Sequence, residues 1–207
     1  MKAVIARKPL SLQVPNFDVS GYLGSTTINE TDWQKAAQVA RSRQSIAAAG
    51  DFQKVKGRDP AKQYLKDLKG ALAEIGFGAH LSAIAVLSNA DYETAALVAD
   101  KPVAEQDITF AGLRFDIKGC AGLIEGRTER EDRLLIINCT QHDKKYDGYM
   151  GYFFVKSYEA HQDVFYYRRA DVGEASGWTR EPGKARSGDY YALTLPTVHK
   201  KYHGVGA

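Results

Sequence analysis

The chain has 207 residues, 44% of them hydrophobic and 26% charged, with a formal net charge of +3. These proportions are ordinary for a globular protein and suit one domain, with or without an appendage. No apolar run approaches the roughly 18 residues that a membrane span requires.

Residues 1–28 are mixed in character and read as short strands or an extended arm. "TDWQKAAQVARSRQSIAAAG" reads as a helix, with Thr31 as its cap, Gln34 three residues on, and Gly50 as its end. The basic loop "GDFQKVKGRD" leads to Asp59-Pro60, an N-cap followed by proline in the first turn. From there one long helix is expected, with Leu65, Leu68, Leu72, Ile75 and Ala79 at helical spacing. Its second half is almost entirely small or apolar and should be the central buried helix. Glu74 is the lone acid within it, which calls for a partner.

A hairpin follows at "DITFAGLRFDIKGC", then strands at Leu134–Cys139, Tyr149–Tyr158 and Asp163–Ala170. A last strand is expected in "GDYYALTLP", after a polar connection from Gly177 to Gly188. A long helix followed by a run of strands gives a mixed α/β (α+β) fold, a central sheet flanked by helices. Residues 1–58 would form an N-terminal arm and helix, an appendage, and residues 59–207 the core domain.

The hairpin carries most of the chemical information. With Ala111-Gly112 as a two-residue turn, Ile108 faces Phe115, Thr109 faces Arg114, and Asp107 faces Asp116. Strand alternation then puts Ile108, Phe110, Leu113, Phe115 and Ile117 on one apolar face. Asp107, Thr109, Arg114, Asp116 and Lys118 make up the polar one. Ala-Gly is not a favoured pair for such a turn, so a longer turn stays open. Opposed like charges are destabilising. Either a shared proton or a bridging divalent cation would relieve them, or both acids sit at an exposed rim screened by Arg114 and Lys118.

Charge is unevenly spread. Residues 1–70 hold twelve Lys/Arg against six Asp/Glu, residues 71–143 the reverse, and residues 144–207 ten against seven. An acidic middle between basic flanks suits either a cation site beside a polyanion-binding surface or a chance segregation of solvated charge. The apolar N-terminal stretch is interrupted by Arg7, Lys8 and Pro9, which argues against a secretory signal. The cysteines, Cys120 and Cys139, make no disulfide framework and suit a reducing cytoplasm.

An acid on one strand of a hairpin, with Asp-x-Lys on the next, resembles the PD-(D/E)XK nuclease superfamily and its restriction-endonuclease-like fold. The matching positions are Asp107, Asp116 and Lys118. The glycine- and alanine-rich segment "LKGALAEIGFGAHL" is similar to the preceding helix of that superfamily, with Glu74 at its acidic position. The resemblance spans Lys66 to Val155, and Gln106 stands where the named motif has proline.

The resemblance implies hydrolysis of DNA phosphodiesters with Mg²⁺, or Mn²⁺ in its place. Asp107, Asp116 and the Ile117 carbonyl would hold the metal, and Glu74 a second ion or a bound water. Lys118 would stabilise charge, and Gln141 would position water. Arg41, Arg43, Lys54, Lys56, Arg58, Arg168 and Arg169 are candidate phosphate contacts. The expected partner is double-stranded DNA in a bacterial or phage-infected cytoplasm. Symmetric double-strand cutting would require a homodimer. The competing reading is a catalytically inactive nucleic-acid-binding or regulatory protein of the same fold.

Overall fold

The computed structural model describes residues 10–11, 13–49, 59–88, 92–94, 107–121, 133–142, 146–154, 162–173, 177–181 and 188–194. The first element is strand β1, Gly21–Thr26, followed by helix α1, Glu30–Ala49. The helix begins at a reciprocal cap. The Asp32 amide donates to Asn29 Oδ1 at 2.9 Å, and the Asn29 amide donates to Asp32 Oδ2 at 3.1 Å. The cap is thus Asn29 rather than Thr31, because Asn29 offers both a short acceptor and a matching acid three residues on.

Helix α2 spans Pro60–Ser88 and starts where Asp59-Pro60 predicts: the Ala61 amide donates to Asp59 Oδ1 at 3.0 Å. Its second half is the expected buried helix, with Leu72, Ala73, Phe77, Leu81 and Ile84 fully covered. Leu65, expected on the apolar face, is 49% exposed near the solvent end of α2.

The strands that follow are β2, Tyr92–Thr94; β3, Ile108–Phe110; β4, Leu113–Ala121; and β5, Arg133–Asn138. A one-turn helix α3, Cys139–His142, precedes β6, Gly148–Phe154, and β7, Gln162–Arg168. After a 3-10 turn at Arg169–Asp171 come β8, Thr179–Glu181, and β9, Tyr190–Thr194. β8 lies inside the stretch expected to be a polar connection. Three residues are too few to show an alternating pattern.

Six strands form one mixed sheet in the order β1-β7-β6-β4-β3-β2, and β5-β9-β8 form a second, antiparallel sheet. Only β4 and β6 run parallel among these neighbours, so the chain crosses over between them through β5 and α3. The fold class is therefore mixed α/β with a central mixed sheet and helices. Residues of the expected N-terminal appendage belong to this body: β1 pairs with β7, and Ala36 and Ala40 of α1 are fully buried in the helix–sheet core.

Among the described residues there are two cores, one on each face of the large sheet. Ile108, Phe110, Phe115, Ile117, Met150, Tyr152, Val164 and Tyr166 pack against α1 and α2. Tyr149, Phe165 and Tyr167 pack with Leu135, Ile137 and Leu193 of the smaller sheet and with Trp178. Adjacent Tyr166 and Tyr167 are both buried for this reason, one in each core. Among the described residues, no helix is long and apolar enough to cross a membrane.

Candidate functional site

The hairpin is built on the two-residue turn. Ala111 and Gly112 both have positive φ, 49° and 76°, the geometry whose twist matches paired strands. The register is Ile108 with Phe115, Thr109 with Arg114 and Phe110 with Leu113.

Regular pairing ends at Ile108, so Asp107 does not sit squarely opposite Asp116. Its amide donates to the Phe115 carbonyl at 3.1 Å. Its carboxylate accepts the Ile117 amide at 2.7 Å through Oδ2. The side chain thereby replaces the carbonyl that a longer β3 would offer, and it fills the gap at the edge of β4. The N–H and C=O of one strand residue point the same way, so the Ile117 carbonyl faces this gap too. The Ile117 side chain lies in the helix-side core.

β4 alternates between its two faces. Phe115 and Ile117 pack toward α2. Gly119 faces it as well: a Cβ there would lie 2.6 Å from the Lys69 carbonyl oxygen. Alternation sends Asp116 and Lys118 to the opposite face. Asp107, just before β3, feels the charges of Asp116 and Lys118 and also that of Glu74 on α2.

Asp116 is 5% exposed, and Lys118 Nζ lies 2.6 Å from its Oδ2. Asp116 Oδ2 is shielded from water, with the ammonium as its charge partner. On the helix side, Glu74 Oε2 receives Arg43 Nη2 of α1 at 2.8 Å. Arg43, expected on DNA, is instead drawn in as the partner that a lone glutamate in an apolar helix requires. The sequence signalled the need but not the residue, because α1 and α2 come together only in the fold.

Burial pushes the Asp107 carboxyl well above the usual carboxylate range, and the charges of Asp116 and Glu74 push it further. The Ile117 amide and Lys118 oppose them without cancelling the effect. Burial pulls Arg43 down, yet Glu74 first and then Asp107 and Asp67 hold it above its ordinary value. Because the folded protein holds the Asp107 proton to higher pH than the unfolded chain does, this group favours folding below the ordinary carboxylate range. That contribution is lost as pH rises through its elevated value. Metal-free Asp107→Asn keeps an acceptor for Ile117 without the charge. It is expected to melt above the parent at neutral pH, with the gap closing on acidification. Parallel pH–melting curves check this, and a gap independent of pH would contradict it.

Among the described residues, no three of His, Cys, Asp and Glu gather as a group able to hold a metal ion. The donors nonetheless suit a hard divalent cation: an oxygen-only set, an Asp116 oxygen shielded from water, and mutual repulsion felt at Asp107. Asp107 and Asp116, with the Ile117 carbonyl, are the residues that could hold it.

The remaining candidates scatter. Gln141 lies in α3, with its side chain outside the described residues. Lys54, Lys56 and Arg58 are outside them altogether. Arg41 is exposed on α1. Arg168 is exposed but pairs with Asp171 at 2.9 Å and donates to the Asp18 carbonyl at 3.1 Å. Arg168 and Arg169 line an open depression of about 490 Å³ with His142, Tyr146 and Asp147. His142 Nδ1 lies 3.0 Å from the Tyr149 hydroxyl within that wall. Compared with known proteins, the chain matches no family model, no curated protein and no solved structure.

Proposed function

We propose that the protein is a metal-dependent nuclease, an endodeoxyribonuclease of restriction, repair or phage type. The observation that carries this reading is the Asp107 carboxylate at the broken edge of β4, beside the Asp116–Lys118 pair. The sequence resemblance to the PD-(D/E)XK superfamily supports it, as does Glu74 on the helix that precedes the hairpin. Asp107 and Asp116, with the Ile117 carbonyl, would hold a divalent cation. Bound Mg²⁺, or Mn²⁺ in its place, would lower the pKa of a water and neutralise charge on the phosphate. Lys118 supplies a point charge to the attacking water or a phosphate oxygen, and to do so its ammonium must turn from Asp116. Arg41, Arg168 and Arg169 would contribute salt-sensitive affinity for the DNA backbone.

A second reading, a nucleic-acid-binding or regulatory protein without catalysis, is favoured by one specific observation. Asp116 and Glu74 are each neutralised from within the chain, by Lys118 and Arg43. Incubation of the pure protein with plasmid and linear DNA in Mg²⁺, Mn²⁺ or EDTA separates the two. Cleavage in either metal and none in EDTA is the expected result. DNA retention on a gel without cleavage in any metal would favour the second reading.

A further inference from the structure

We infer that Arg43 is a built-in counter-cation of the acidic group and sets how tightly a divalent cation binds there. The inference rests on the metal-site reading above and adds its regulation. Arg43 reaches across from α1 to Glu74 at 2.8 Å and also feels the charges of Asp107 and Asp67. The pair lies against α2 at Gly70, where a Cβ would stand at ordinary contact distance, 3.5 Å from Arg43 Nη1 and 3.7 Å from Glu74 Oε1.

An arginine cannot shed its proton in a protein, so this charge is permanent. Lys118 answers Asp116 on the opposite face. Asp107 makes no ion pair with any described residue and has the Ile117 amide as its carboxylate's hydrogen-bond donor. A divalent ion arriving at Asp107 meets the field of Arg43 from the helix side. Ion and guanidinium oppose one another, and each weakens the other's hold on the three acids. Anything that draws Arg43 off Glu74 raises affinity for the cation by the same factor that the cation loosens Arg43, as linkage requires.

Calorimetric titration of the full chain with Mn²⁺ alone tests this, in the parent, Arg43→Met, Glu74→Gln and the double variant. Arg43→Met is expected to bind Mn²⁺ about five- to tenfold more tightly than the parent, the low end of typical coupling between sites. Glu74→Gln should bind more weakly. The double variant restores the balance of charge and should return close to the parent. Unchanged or weaker affinity in a folded Arg43→Met protein overturns the inference while leaving the metal site in place. If Arg43→Met does not fold, the comparison of Glu74→Gln with the double variant decides, and a double variant no tighter than Glu74→Gln overturns it. Absence of Mn²⁺ binding in the parent and every variant removes the metal site and this inference together.

Discussion

Asp116→Asn is expected to lower metal-dependent DNA cleavage at least about a hundredfold, the scale of losing one preorganised electrostatic group in an active site. The substitution is nearly isosteric at a position 5% exposed, so it opens no cavity. What it removes is charge: one of the two carboxylates able to hold a cation, and the counter-charge 2.6 Å from Lys118. Lys118 is then left beside a neutral amide in place of the carboxylate. Circular dichroism of Asp116→Asn should remain that of the parent, which separates lost chemistry from lost folding. Cleavage at the parental rate in the folded variant would remove Asp116 from the reaction and, with it, the nuclease reading of the hairpin.

A large effect on stability is expected at Gly119→Ala. A Cβ there falls 2.6 Å from the Lys69 carbonyl oxygen, 2.9 Å from its carbon and 3.3 Å from the Gly70 nitrogen. These are backbone atoms of α2, which cannot step aside as the tip of a flexible side chain can. The helix must lift from β4 or the strand must bend, at about 1–3 kcal/mol for overpacking of this kind. In a chain of this length that amounts to a drop of several degrees in Tm, roughly 2–4 °C per kcal/mol. Gly21→Ala is the control, since a Cβ there meets nothing within 4 Å. Equal melting of the two variants would show that α2 and β4 do not approach this closely. The contact matters for the site because Glu74 sits on α2 little more than one turn beyond Gly70.

Much of the frame was legible from local rules. Asp59-Pro60 marks the start of α2 because a carboxylate cap and a missing amide act within one turn. The register of β3 and β4 follows from alternation of apolar side chains, since a slip by one would bury Thr109 and Arg114 in place of Ile108 and Phe115. The turn at Ala111-Gly112 was less legible, because Ala111 takes a positive φ that its side chain disfavours. Pairing of the strands holds it there. β8 went unread because Thr179–Glu181 is too short to show a period.

By itself, then, the sequence determined the α2 start, the hairpin register and the set of acids and lysine gathered around it, since each depends on neighbours a few residues apart. Tertiary structure alone decided that Tyr166 and Tyr167 are both buried, because covering both faces of one strand needs a second sheet contributed by β5, β8 and β9. It alone decided that Asp107 leaves the ladder to receive the Ile117 amide. It alone chose Arg43 for Glu74, 31 residues away. Charge in a buried site is balanced by whatever the packing of distant elements brings within a few ångströms, and periodicity along the chain carries no record of that meeting.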